Sequence, residues 1–344
     1  MNRMFSMQIN PEMFKKASDE EKRAFAPSSA ARGNSAVRRF FRNPAAVAAI
    51  IVLIVLFIVV VFAPLVVPYG YSDSVMINGA RDASAANLAP MQWSAGELSY
   101  MEETGNSLFP HIFGTDSLAR DYFIRVVYGT RVSLLVGLFA AAIVVVIGTI
   151  YGAASALAGG KADMIMMRIV DVIYSLPDLL MIILLSVVLD KTVGAAGGLI
   201  SGLGAEVLSM LIVFGCLYWV GTARVVRSRV MTLKNSGYVL ASRTLGASSW
   251  RILFSDILPN CASLIIVTAA LEIPVAIFTE SYLSFIGLGV RAPMPSLGSL
   301  ANAALGGIQI YPMRLVFPAL AICVIVFALN TLGDALRDAF DPRC

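Results

Sequence analysis

The stretch AAVAAIIVLIVLFIVVVFAPLVV, residues 45–67, decides the fold class. It lies within a charge-free run from Asn43 to Ser72, longer than the roughly 20 residues an α-helix needs to cross a hydrocarbon core of about 30 Å. Composition extends that reading to the whole chain. Of 344 residues, 58% are hydrophobic and 14% charged, with a mean hydropathy of +0.79. That leaves too little polar surface to cover a soluble globule.

Further charge-free runs lie between Arg131 and Lys161, Asp171 and Asp190, Glu206 and Arg224, Asp256 and Glu272 (continuing beyond it), and Arg314 and Asp334. The expectation is an all-α integral membrane protein with six transmembrane helices. A seventh uncharged run, TVGAAGGLISGLGA at 192–205, is so rich in glycine that it reads as a loop or re-entrant turn.

Charge sets the expected orientation. Residues 1–44 hold nine Lys or Arg against four acids and residues 221–256 six against one, whereas 69–131 hold four against seven. By the positive-inside rule both termini and the 221–256 loop are cytoplasmic and 69–131 lies outside. More than forty mostly polar residues precede the first apolar run, so no cleaved signal peptide is expected. The resulting division is a cytoplasmic segment and elbow at 1–44, a first transmembrane helix at 45–68 and an extracytoplasmic loop at 69–131. A permease core at 132–336 with five helices and a cytoplasmic loop at 224–260 follows, then a tail at 337–344.

The net charge of +4 thus describes topology, and no basic stripe interleaved with aromatics suggests nucleic acid. Catalytic signatures are missing. His111 is the one histidine, which excludes HExxH zinc chemistry, and Cys216, Cys261, Cys323 and Cys344 form no CxxC pair. GGKAD at 159–163 has the Gly-Lys of a phosphate loop, but Ser155 stands where the first Gly belongs and Ala162 where Ser or Thr belongs. Neither an enzyme, a metal site nor a cofactor on this chain is expected.

Charges near or in the membrane are costly and therefore candidates for function. Arg168 and Asp171, three apart, read as a local ion pair. Glu272 stands two residues before Pro274 in an apolar run, and it and Glu280 are candidates for lining a translocation path. Gly148 and Gly152 are spaced for close helix packing. At 116–135, Tyr122, Phe123, Val126 and Val127 share a helical face, as in an interfacial helix or a collar leading into the second span. The stretch 73–110 reads as an ordered, irregular loop.

Between two apolar runs sits YVLASRTLGASSWRILFSDILPN, residues 238–260. It reads as a short helix from Tyr238 to about Leu245, a stop at Gly246 and a restart over 247–257. Ala241, Ser242, Gly246 and Ala247 are small enough for another surface to approach, with Arg243 and Arg251 at the rim. Such a helix suits the groove of a cytoplasmic partner.

This stretch resembles the EAA loop of ATP-binding-cassette importer permeases. Ala241, Gly246, Leu258 and Pro259 match its pattern, Ser242 replaces the second Ala, Leu240 stands at the Glu and Asp256 at the Ile. The peptide-transporting form, YV-AA---GAS--RI-----LPN, fits better. FGTDSLARDYFIRVVYGTRVSLLVG is similar to that branch's FGTD-x-x-GRD segment, with Ala119 in place of Gly. GGKADMIMMRIVDVIYSLPDLL, ESYLSFIGLGVRAPMPSLG and LGDALRDAFDPR extend the resemblance over roughly 35–343. It is to the C-type permease subunit of oligopeptide and dipeptide importers.

What the resemblance implies is a type I importer permease in the bacterial inner membrane, paired with a B-type permease. Two cytoplasmic ATPase subunits would hold ATP and Mg, and an extracytoplasmic binding protein would deliver peptide. The coupling helix would include Tyr238, Ala241, Ser242, Arg243, Gly246, Ala247, Arg251 and Pro259. Nickel importers share this architecture, and an ion-coupled transporter using Glu272 and Asp171 is a further alternative. One His and no cluster of soft ligands speak against nickel, and the lack of an internal repeat speaks against the second.

Overall fold

The computed structural model describes residues 37–195, 205–290 and 293–340. Helix α1, Pro44–Val66, begins with a proline at its first position and with Asn43 accepting a hydrogen bond from the Ala45 N–H at 3.0 Å. Near its far end Pro64 has no N–H to give to the carbonyl of Val60. Arg131 supplies the missing donor: its Nε reaches the Val60 oxygen at 2.7 Å and its Nη2 the Val61 oxygen at 3.1 Å. Ala46, Ala49, Val60 and Ala63 are buried in α1, while Ile51, Ile54, Phe57 and Phe62 are exposed. A helix apolar all round with so little of it covered has lipid as its surroundings.

The segment outside α1 is more regular than the sequence reading expects. A hairpin pairs β1, Met76–Ile77, with β2, Ala80–Arg81, around Asn78 and Gly79, both at positive φ, the Asn-Gly turn that strand twist favours. Helix α2, Ala95–Thr104, starts on a reciprocal capping box of Ser94 and Glu97 and stops at left-handed Gly105. Both signals are local and stand in the sequence.

Helix α3, Tyr122–Ala158, runs 37 residues, or about 55 Å. Its N-cap is Asp121, which accepts from the Ile124 N–H at 2.9 Å. Residues 122–135 are therefore the first turns of this span and not an interfacial helix. Tyr122 and Val126 pack into a core with Leu297, Leu300 and Ile325, and Val127 against Ala63 and Val67, so the face expected to meet lipid headgroups meets other helices. Gly159 and Gly160, at φ 64 and 54, turn the chain into α4, Gly160–Tyr174.

Helix α5, Asp178–Ala195, is followed by α6, Ala205–Leu217, and α7, Trp219–Lys234, which meet at Tyr218 and form one span. The expected glycine-rich loop is helical up to Ala195, and its remainder to residue 204 lies outside the described residues. After α8, Gly237–Thr244, the long α9, Ser249–Phe285, returns, and α10, Leu297–Leu305, and α11, Met313–Phe340, complete the order. Among the described residues, five helical stretches are long and apolar enough to cross a membrane, and α5 adds a sixth, shorter apolar one at Leu180–Leu189.

Helix α3 is central and packs on α7 and α9. A Cβ on Gly148 would lie 2.6 Å from Thr222 Cβ, and one on Gly152 would lie 2.3 Å from the Ala223 carbonyl oxygen. The two glycines let the α3 and α7 backbones touch, as their spacing predicts.

Candidate coupling and translocation sites

The 238–260 stretch is built on one buried residue. Val239 is fully buried and joins Ala153, Ala156, Val226, Val230, Ile252, Leu253, Ile257 and Cys261 in a single core. It seats α8 against the ends of α3, α7 and α9. Everything around it faces out: Tyr238, Ala241, Arg243, Gly246, Arg251 and Pro259 are exposed, and Ser242 and Ala247 half-buried. Leu240, Leu245 and Trp250 add exposed apolar surface.

The stop after α8 is a Schellman motif. Gly246 stands at φ +81, its N–H donates to the Arg243 carbonyl at 3.0 Å, and the Ala247 N–H donates to the Ser242 carbonyl at 3.1 Å. Among the described residues, no atom beyond its two chain neighbours lies within 4 Å of where a Gly246 Cβ would project. The return helix opens at Ser248 and widens into π-helix over Ile252–Ile257. Pro259 explains the widening, because its ring would collide with the carbonyl four residues earlier in a regular α-helix.

Beneath α8 lies an ion pair that sequence reasoning missed. Asp163 accepts from Ser155 Oγ at 2.5 Å and from Arg227 Nε at 2.6 Å, and Arg227 Nη2 bonds its second oxygen. Lys234 Nζ donates to the carbonyls of Ala156 and Leu157 at 2.9 and 3.1 Å, covering the C-terminal end of α3. GGKAD is thus a turn whose Asp ties α3, α4 and α7 together. Asp171 also departs from expectation: Arg224 Nη2 lies 2.8 Å away and Arg168 4.0 Å. Arg224 is the stronger partner because it stacks on Tyr174 at 4.2 Å, which aims it at the carboxylate.

The two membrane carboxylates differ. Glu272 is half-buried and borders a cavity of about 250 Å³ with Tyr174, Met181, Ile182, Leu217 and Tyr218. Its one hydrogen bond is long, 3.5 Å from the Thr222 hydroxyl. Glu280 is fully buried, accepting from the hydroxyls of Ser133 at 2.6 Å, Ser284 at 2.8 Å and Ser281 at 3.2 Å. Its oxygens accept from serines of both α9 and α3 and so tie the two helices together.

Residues 144–344 match the family described as binding-protein-dependent transport system inner membrane component, and residues 32–90 match the N-terminal TM domain of oligopeptide transport permease C. The chain belongs to the family of binding-protein-dependent transport system inner membrane components. It is 42% identical over 283 residues to the oligopeptide transport system permease protein OppC of Bacillus subtilis (strain 168), covering 82% of this chain and 80% of that one. With the dipeptide transport system permease protein DppC of the same organism it shares 47% over 234 residues, 68% of this chain and 69% of the relative. The glutathione transport system permease protein GsiD of Pectobacterium atrosepticum is 37% identical over 233 residues, 68% and 73% of the two chains. The chain is therefore a multi-pass inner-membrane permease of type I fold.

The segment between α1 and α3 holds a second polar centre, also unread in the sequence. Fully buried His111 lies between Asp121 Oδ2, 2.7 Å from Nδ1, and Glu97 Oε1, 3.1 Å from Nε2. Tyr69 stacks on the imidazole at 4.6 Å. Burial alone would lower the His111 pKa, but hydrogen bonds and charge from the two carboxylates outweigh it and raise the pKa to about 9. Since Glu97 closes the α2 capping box and Asp121 caps α3, the imidazolium joins two helix N-termini. Nearby, Arg120 and Arg125 both pair with Asp116, and Ala119 holds φ +56 with its side chain buried. This left-handed turn is where the family segment carries Gly.

Proposed function

We propose that this chain is the C-type permease subunit of an importer that moves oligopeptides or dipeptides into the cytoplasm. The oligopeptide and dipeptide permeases among its relatives support the substrate class, and the segments 113–137, 238–260 and 280–298 agree with it. In this reading a B-type permease completes the membrane path, two cytoplasmic ATPase subunits bind ATP and Mg, and an external binding protein delivers peptide. Both termini and residues 224–260 face the cytoplasm.

The observation that carries the coupling role is α8 itself. It is held from below by buried Val239 and presents Tyr238, Leu240, Arg243 and Leu245 outward, a short helix offered to a groove. Its Schellman stop fixes the angle at which the return helix leaves, so force on α8 passes to α7 and α9 through the shared core. Gly246 tests this. Any side chain there carries the left-handed penalty of about 1–2 kcal/mol, but among the described residues no atom beyond its chain neighbours crowds a Cβ at this position. Gly246→Ala is expected to assemble and transport near normally. Gly246→Trp is expected to insert and accept the binding protein, yet to lose uptake and stimulation of ATPase activity by loaded binding protein. Reconstituted complexes in which Gly246→Trp couples as wild type would remove α8 from the coupling path.

A further inference from the structure

We infer that Glu272 receives a cationic amine, the free N-terminal ammonium of a passing peptide. This rests on the peptide-importer reading above and names a recognition group within it.

Glu272 differs from Asp163, Asp171 and Glu280. Asp163 is held by Arg227 and Ser155, Asp171 by Arg224, and Glu280 by three serines. For Glu272, no Lys, Arg or His of the described residues lies within ion-pair distance, and its Thr222 contact sits at the outer limit of hydrogen bonding. It is about 20 Å along α9 from the Phe285 end, within the thickness of a bilayer core. A carboxylate at such depth is stable as an anion only where water or a cation can reach it. The cavity gives that access.

The cavity walls suit a cation with an apolar neighbour. Tyr174 and Tyr218 present ring systems, and Met181, Ile182, Leu217 and Val275 the remaining surface. Tyr174 holds the Arg224 guanidinium over its ring at 4.2 Å, and Asp171, 2.8 Å from that guanidinium, offsets its charge at this rim. At about 250 Å³, roughly eight water volumes, the space admits one end of a peptide and not its length. A solute in transit must be bound and then released, and a carboxylate without a permanent counter-ion provides binding that is not too tight to leave.

The test uses the full importer in proteoliposomes, with binding protein saturated by a free-amine peptide or by its N-acetylated twin. Glu272→Gln is expected to slow uptake of the free-amine peptide about tenfold or more, the loss of one charge-assisted hydrogen bond. Stimulated ATPase activity should remain within about twofold, uptake of the acetylated peptide should not change, and Glu272→Asp should restore part of the loss. Equal slowing of both peptides would assign Glu272 a packing role. Loss of co-purification with the partner permease would mean that its cation comes from that subunit, and unchanged uptake would show that it meets no amine. Each of these overturns the inference. A wild-type complex that hydrolyses ATP but carries neither peptide would instead refute the peptide-importer reading.

Discussion

Replacing His111 with Gln removes the positive charge between Glu97 and Asp121 while nearly keeping the side-chain size. The rise of the His111 pKa from 6.5 to about 9 is worth about 3 kcal/mol to the folded segment between α1 and α3. The sign follows from the direction of the shift. The folded state binds the proton more tightly than the unfolded one, so the contribution is complete below pH 6.5 and is lost as pH rises through about 9. It should stand near 2 kcal/mol at pH 7.5 and vanish above about pH 9.5.

Hydrogen exchange of peptides from 91–121, corrected for the intrinsic rate at each pH, reads this directly. Wild type should exceed His111→Gln in protection by roughly a hundredfold at pH 6 and by ten- to thirtyfold at pH 7.5. At pH 9.5 a small, pH-independent packing difference should remain. A gap that does not change with pH would show that the imidazole acts by shape and stacking on Tyr69 and not by charge. Equal protection at pH 6 would show that the two helix N-termini do not depend on it.

A second prediction concerns the gap left by Pro64. Arg131→Leu should destabilise the detergent-solubilised protein by about 1–3 kcal/mol, the cost of an unsatisfied carbonyl, and Pro64→Ala in the same chain should recover much of that loss by restoring an N–H to Val60; additive effects in thermal unfolding of the double mutant would refute the pairing. Orientation is checked in a background without the native cysteines. Ala95→Cys should label with an impermeant maleimide only from outside and Thr244→Cys only from the cytoplasmic side, and the reverse pattern would invert the proposed topology.

What the sequence made legible was whatever repeats locally. Apolar runs mark the spans because length and hydropathy suffice, and Gly148 and Gly152 mark a helix crossing because four-residue spacing puts them on one face. Gly246 was readable for the same reason: a Schellman stop involves neighbours within five residues. Asn78-Gly79 and the Ser94/Glu97 box carried signals just as local, and the high polarity around them masked the elements they begin. The long-range polar pairs were not readable. Asp163 and Arg227 are 64 residues apart, and Arg131 pairs with a backbone carbonyl, an acceptor every residue possesses. Glu280 looked like Glu272 because nothing short-range shows that Ser133, 147 residues away, arrives on another helix to occupy its oxygen.

Several of these missed contacts lie at the two ends of α3, and that placement has a mechanical meaning. Asp121 both caps the outer end and holds His111, while at the inner end Lys234 covers the last carbonyls and Ser155 bonds Asp163. Between them α3 is one uninterrupted 37-residue helix, with Gly152 so close to α7 that a Cβ there would lie 2.3 Å from the Ala223 carbonyl oxygen. The seat of α8 draws on Ala153 and Ala156 of this same helix. A displacement imposed on α8 therefore has little local slack to absorb it, because packed helices shift as bodies more readily than they deform. The segment between α1 and α3 is fixed to the other end of α3 by its cap and by the His111 pair.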